Sequence, residues 1–464
     1  MRLLLYLALL TSALGAPRGY GGEIEKLDLK RFFSTRVTTG IEGDSAELSK
    51  SIEKRAQRRS SKLASAHLKK KALILCSHGG YSHEAAAKTI SGLIGDDFVC
   101  KTVFPINDYR PFGIKNSENL YNFLFARGWN RTLEFLSGVS MLHFKMRSEN
   151  FEAFFDRQIE SERPDIVISV APFFNGPALL AAHKKQIPFV LTSLDDNMWI
   201  WLANFKKPKG AKFRLVVARR TPQVIEAIEK TGTLPEEVIE MGQLLRPEFQ
   251  NPLPTREELR KKHRIPKNKR VVLILMGGAG SDVCVAYAKK IAGLNLGAHL
   301  IVCTGRYEAL AEQIERIPTH RSNSLQAMRF TPDIAELMAL SDLMILKPGP
   351  SAVFEALAVG KAPLLLDTTI EPIVWEQSNV RYVTDRHIGA RVRRLKYLPR
   401  LIKRYLFDTQ ERKEALKALE KIPPNRSCLV IRDIIYELCS SSVKDPLEVN
   451  ALKASTEHAD RKAR

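Results

Sequence analysis

The stretch ALILCSHGGYSHEAAAKTISGLI, Ala72 to Ile94, decides the fold. A short apolar run (Ala72 to Cys76) breaks at Gly79 and Gly80 and continues from His83 with helical spacing, which reads as strand, turn, helix. The unit recurs downstream. DIVISVAP (165–172) leads through Asn175-Gly176-Pro177 into ALLAAHKK, and PFVLTSLDD (188–196) and RLVVARR (214–220) precede PQVIEAIEKTG. After a Pro-rich, charged segment (245–269) the grammar restarts with VVLILMGGAG (271–280), HLIVCTG (299–305), LMILKPG (343–349) and APLLLD (362–367). Continuous apolar runs alternating with helices imply parallel strands buried on both faces. The expectation is an α/β protein with two Rossmann-like lobes facing a cleft. Ligands should bind outside the carboxyl ends of the strands, where the glycine-rich breaks fall.

A chain of 464 residues is too long for one core, since cores stop growing near roughly 250–300 residues. The expected divisions are a signal-like or anchor leader (1–16), a basic polar linker (17–70), a first lobe (71–245), a second lobe (246–425), and a C-terminal helix with polar tail (426–464). The leader carries LLLYLALL (Leu3 to Leu10) before small residues. It is too short to span a bilayer alone and reads either as a cleaved signal or as an interfacial anchor.

The net charge of +21 demands an acidic partner. No Cys/His zinc spacing, RNA-sheet aromatic signature or basic heptad region is present, so nucleic acid is not expected. No apolar run approaches the ~20 residues of a spanning helix, which excludes a polytopic membrane protein. Membrane surface and nucleotide diphosphate remain. The six scattered cysteines read as reduced core residues.

The most specific chemistry lies in KPGPSAVFEALAVGKAP, Lys347 to Pro363. A strand ends at Lys347, a Pro-Gly-Pro turn follows, and Ser351 is expected to cap the next helix, with the N–H groups of Ser351, Ala352 and Val353 free to hold an anion. A plain capped helix in a Rossmann-like layer is the other reading. Glu355, one turn on, offers a carboxylate to two hydroxyls or else a solvent-facing charge.

Together with WEQSN (Trp375 to Asn379), this segment resembles the nucleotide-sugar signature of the monogalactosyldiacylglycerol synthase and processive diacylglycerol glucosyltransferase family, itself related to the lipid II-forming N-acetylglucosaminyltransferase. PDIVISVAPFFN, TSLDDNMWIW, MGQLLRPEF, LILMGGAGSD, CTGRYEALAEQI and RFTPDIAELMALSDLMI resemble family segments in the same order. The likeness spans about 72–383. It implies a GT-B type glycosyltransferase in which Gly349, Pro350, Ser351, Ala352 and Val353 hold the diphosphate, Glu355 the ribose, and Glu376 and Asn379 the sugar. Arg329 and Phe330 fall where relatives pack uracil through backbone groups. Gly277 and Gly278 either cradle phosphate or an acceptor, or merely end a strand.

On the acceptor side, SHGGYSHEAAA (Ser77 to Ala87) is similar to a family motif whose histidine takes the acceptor's proton, a task needing a pKa near the working pH. His83 is the candidate base, with His78 in the same turn as rival and a structural histidine as the bland reading. Tyr81-Ser82 departs from the family spacing. Asp195 aligns with a family aspartate and is expected to orient that base or bind acceptor. Asp195-Asp196 reads more simply as a solvated turn than as a metal pair, and no metal and no cofactor beyond a UDP-sugar co-substrate are expected. The aromatic-basic stretch holding Phe125, Arg127, Trp129, Arg131 and Lys145 reads either as a membrane or acceptor surface or as a buried helix.

The resulting expectation is hexose transfer from a UDP-sugar to diacylglycerol in glycolipid biosynthesis, on an anionic membrane surface with access to cytosolic UDP-sugars. Another lipid-linked acceptor, a catalytically weak nucleotide-sugar-binding membrane protein, and sugar epimerisation on the same fold are the alternatives.

Overall fold

The computed structural model describes residues 69–109, 117–277, 281–359 and 361–440. The chain divides after Lys70 into two units, and the architecture here is that of Lys71–Arg464. The strands of the first lobe are β1 (Lys70–Leu75), β2 (Phe98–Val103), β3 (Ile166–Ser169), β4 (Phe189–Thr192), β5 (Phe213–Val217) and β6 (Val238–Glu240). Those of the second are β7 (Arg270–Leu275), β8 (Ala298–Gly305), β9 (Ser324–Arg329), β10 (Leu343–Leu346), β11 (Leu364–Asp367) and β12 (Gly389–Val392).

The sheets run β2-β1-β3-β4-β5-β6 and β12-β11-β10-β7-β8-β9. The ladders from β1–β3 to β5–β6 and those of the second sheet are parallel. The apolar runs predict this, because Ile166 to Ser169 and Leu343 to Leu346 are buried at every position and leave no solvent face. Order reverses between β1 and β3 in one sheet and between β7 and β10 in the other. Connections there leave in opposite directions and open a crevice at the strands' carboxyl ends. Those ends carry Ser77–Gly80, Val170–Phe174, Gly277 and Lys347–Gly349.

The helices complete two cores. Helix Tyr81–Ile94 buries Ala86, Ala87, Ile90 and Ile94 on the first sheet. Helix Pro350–Val359 buries Val353, Ala356 and Leu357 on the second. Helix Ser427–Ser440, after the second sheet, returns to the first lobe and buries Cys428, Ile431, Ile434, Ile435, Leu438 and Cys439 there. Residues 441–464 and the leader and linker through residue 68 lie outside the described residues.

The stretch 121–136 is two helices, Ser117–Ala126 and Asn130–Met146, with Gly128 at φ 72° in the break. The positive φ favours glycine at 128, and a Cβ there would also press on the movable end of a second-lobe side chain, Ile370 Cδ1, at 2.5 Å. Leu124, Leu133 and Ile373 form a small core joined by Phe125, Trp129 and Trp375. Asn130 Nδ2 donates to the Glu371 carbonyl at 2.6 Å, and Val374 N–H donates to Glu134 at 2.8 Å.

Candidate active site

The turn after β1 is held from below. Glu118 Oε1 accepts from the Ser77 hydroxyl and from the backbone N–H groups of His78 (2.8 Å) and Gly79 (3.1 Å). Asn122 Oδ1 accepts from Gly80 N–H, and its Nδ2 donates to the His78 carbonyl, each at 2.8 Å. These donors are therefore occupied by helix Ser117–Ala126. Burial raises the Glu118 pKa against the pull of those bonds.

His83 Nδ1 lies 2.6 Å from the Val170 carbonyl. A carbonyl only accepts, so Nδ1 carries the proton and Nε2 keeps its lone pair. Burial lowers the pKa of this imidazole. Val170 belongs to the β3 exit, where Phe173 sits at φ 79°; Asn175 braces that exit by accepting from Ser169 Oγ (2.6 Å) and donating to the Ala171 and Trp201 carbonyls (3.0 Å each).

Asp195 does not orient His83, a correction to the sequence reading. Its oxygens accept from Trp201 Nε1–H (3.1 Å) and Asn197 N–H (2.9 Å), while the Trp201 ring lies 5.8 Å from that of His83. The link runs through an indole, and the orienting bond is Val170's. Burial pushes the Asp195 pKa up to about 7. Asp196 diverges to Arg219, so the two carboxylates do not converge on a shared ion. His78 stacks on Phe104 at 3.8 Å and bonds Glu84 at 2.7 Å, a structural setting distinct from that of His83.

In the second lobe the helix opens at Pro350, one residue before the expected cap. Val353 N–H bonds the Gly349 carbonyl and is not free, because the fixed φ of Pro350 starts the helix early. Pro350 has no N–H, which leaves the backbone donors of Ser351 and Ala352 for an anion. Glu355 is neither solvent-facing nor idle. Arg246, from the connection between the lobes, grips both its oxygens at 2.8 and 3.0 Å. Burial raises the Glu355 pKa and this guanidinium opposes the rise.

Asn379 is buried, donating to the Pro348 carbonyl at 3.0 Å. Glu376 is buried with Oε2 unpartnered; desolvation raises its pKa, the Lys347 ammonium opposes this, and Asp367 adds to it. The Lys347 ammonium lies 3.2 Å from the centroid of the Phe125 ring, and burial lowers its pKa. An enclosed lysine, an unsatisfied glutamate and two free helix N–H groups make a polar recess able to take an anion and hydroxyls together.

The lobes meet at this recess. Ser351 Oγ donates to Ser82 Oγ at 3.2 Å, joining the residue beside His83 to the helix start opposite. Arg219, after β5, bonds Asn379 Oδ1 at 3.3 Å and lies over Phe354 (4.9 Å) and Tyr382 (4.6 Å).

Other expected residues fall farther out. Arg329 ends β9 and pairs with Glu308 (2.9 Å) and Glu315 (3.0 Å), while the exposed Phe330 lies under Arg306 at 4.8 Å. Gly277 sits at φ 94° with room for a ligand; Gly278 lies outside the described residues. Phe125 and Trp129 are not free to enter a membrane, because they pack in the core between the lobes. Arg127 lies over Phe123, and Arg131 and Lys145 are exposed. The exposed apolar residues of helix Asn130–Met146 are instead Phe135 (48%), Val139 (38%), Leu142 (59%) and Met146 (75%), one face by their spacing. No helix among the described residues is long and apolar enough to cross a membrane.

Two parallel α/β lobes meeting at switch-point crevices define the GT-B architecture. Consistent with this, residues 271–421 match the glycosyltransferase family 28 C-terminal domain. A probable chloroplastic monogalactosyldiacylglycerol synthase from Nicotiana tabacum is 27% identical over 350 residues, 69% of this chain and 61% of that protein. A processive diacylglycerol beta-glucosyltransferase from Bacillus subtilis is 24% identical over 396 residues, 82% of this chain and 98% of that one. Acinetobacter baumannii MurG shares the fold at a TM-score of 0.50 and 14% identity, covering 80% of this chain and 99% of that one. In sequence the chain is similar to the monogalactosyldiacylglycerol synthases and processive diacylglycerol glucosyltransferases, and its second lobe carries the family 28 C-terminal domain. It spans about three fifths of the length of its Nicotiana tabacum relative, the match covering 61% of that protein.

Proposed function

We propose that the protein transfers a hexose from a UDP-sugar to the free hydroxyl of diacylglycerol at an anionic membrane surface. The observation that carries the reading is the Ser82–Ser351 contact, which sets the His83 imidazole and the free N–H groups of Ser351 and Ala352 on the two walls of one cleft. His83 Nε2 takes the acceptor's proton as its oxygen forms a bond to the sugar's anomeric carbon. The bond from that carbon to the β-phosphate oxygen breaks, and UDP departs with the electron pair. The helix start and Lys347 stabilise the charge on UDP, since fixed donors in a dry site act where charge develops. Glu355, held by Arg246, receives the ribose hydroxyls, and Glu376 and Asn379 the sugar. Closure of the lobes excludes water, which competes with the acceptor.

Membrane contact falls to the Phe135, Val139, Leu142 and Met146 face, flanked by Arg131, Lys145 and Arg147. Buried apolar area plus ~1 kcal/mol per basic residue suffices for reversible docking.

The test is incubation of the full chain with diacylglycerol-containing vesicles and radiolabelled UDP-glucose, UDP-galactose or UDP-N-acetylglucosamine, followed by chromatography of the lipids. A labelled glycolipid that needs His83 is the expected result. UDP binding without any labelled lipid, or conversion of the sugar nucleotide without lipid, overturns the proposal in favour of a binding protein or an epimerase.

A further inference from the structure

A second cavity, about 410 Å³, lies between the lobes, and neither Ser82 nor Ser351 lines it. Four arginines reach it from both sides: Arg219 and Arg220 after β5, and Arg381 and Arg386 on or just past helix Gln377–Asp385. Three carboxylates share the lining; two are already engaged and the third is exposed to solvent. Asp196 pairs with Arg219, Glu240 accepts the backbone N–H of Arg220 at 3.1 Å, and Asp385 stands at the exposed end of helix Gln377–Asp385.

The donors are not matched in the same way. Arg219 Nε and Ser378 Oγ are buried without a hydrogen-bond partner. Beside them, at the solvent-exposed mouth, the Arg381 guanidinium has neither hydrogen bond nor ion pair among the described residues, and the exposed Arg386 has only the Tyr382 ring beneath it at 4.0 Å, so both are free to turn to a ligand. A buried donor with no acceptor is costly, so Arg219 Nε of the first lobe and Ser378 Oγ of the second, left open around one space, point to an absent acceptor. Its oxygens must meet several planar guanidinium groups, which is the geometry of a phosphate group.

We propose that this cavity binds the phosphate group of a ligand other than the sugar donor, and that the bound group ties Arg219 of the first lobe to Ser378 and Arg381 of the second. The consequence reaches the recess through one side chain, because Arg219 also bonds Asn379. Occupation of the cavity and of the recess are thereby coupled, and the coupling is reciprocal.

Inorganic phosphate, a soluble phosphoester and a phospholipid headgroup share this chemistry. The experiment titrates inorganic phosphate into the full chain by calorimetry, with UDP saturating so that the Ser351 turn is occupied. Saturable binding of one phosphate per chain is expected, weakened about tenfold or more in Arg381→Gln, since a charged hydrogen bond is lost. Arg400→Gln, the same charge change at an exposed residue of helix Leu398–Leu406 outside the cavity, should leave it unchanged. A parallel arm compares phosphatidylcholine vesicles with and without phosphatidate. Arg381 dependence with inorganic phosphate supports the site and assigns a soluble ligand; dependence only with phosphatidate vesicles supports it and assigns a headgroup. Binding equal in Arg381→Gln and wild type, or no saturable binding in either arm, overturns it. Should UDP itself fail to bind, the donor reading fails, while the titration without UDP still reports on Arg381.

Discussion

His83 and His78 are separated by five positions and by opposite surroundings. His83 has one nitrogen fixed by Val170 and the other free, whereas His78 is held by Glu84 and stacked on Phe104. His83→Ala should lower turnover by about 10²- to 10⁴-fold with UDP affinity retained, and His78→Ala should be milder; steady-state rates beside UDP calorimetry separate the two. Because burial lowers the His83 pKa, the imidazole stays neutral below the usual histidine range. The acid limb of kcat/KM should therefore fall below pH ~6.5, the ordinary histidine value. Asp195 behaves oppositely, with a folded pKa raised to about 7. A carboxyl whose pKa is raised on folding contributes stability that is complete below its unfolded pKa, near 4, and is lost as pH rises through 7. Asp195→Asn should flatten the stability profile between those limits, as read by urea denaturation across pH.

At the scale of elements, β12 closes the second sheet through a position that no side chain can fill. A Cβ on Gly389 would stand 1.8 Å from the Leu364 carbonyl oxygen in β11, so Gly389→Ala must part the two strands. It should cost ~3 kcal/mol or more, visible as a fall in the thermal midpoint. The inner strands were readable from sequence because burial on both faces writes itself as unbroken apolar runs, as in Leu343 to Leu346, whereas the edge strands β2, β6, β9 and β12 are only partly buried and were missed. The helix after β10 was readable too, though its first residue was not, since Pro350 competes with Ser351 for the start. What sequence could not reveal were the long-range polar partners. Arg246 and Glu355 lie 109 residues apart, and Glu118 and Asn122 sit on a helix whose pattern carries no mark of the turn they hold. Phe125 and Trp129 left two readings open for a related reason: an aromatic face reads the same whether its cover is lipid or another lobe, and here it is another lobe.

At the scale of the whole molecule, docking should depend on the helix face left uncovered. Leu142→Glu with Met146→Glu should weaken sedimentation with anionic vesicles and spare UDP binding, while rising salt should weaken the wild type by screening its basic residues. Loss of UDP binding in that variant would show instead that the helix supports the recess.

Helix Ser427–Ser440 also bears on how the protein comes into being. The first lobe's core is sealed by Ile431, Ile435 and Cys439, residues made only after the whole second lobe has been synthesised. A ribosome delivers the second lobe's sheet complete while the first still shows bare apolar surface, so maturation order is inverted relative to chain order. A chain released after residue 245 should expose that surface and aggregate, and adding the 427–440 helix as a separate peptide should restore solubility, measurable by light scattering. The interval between the two events is the time in which a chaperone would find this protein.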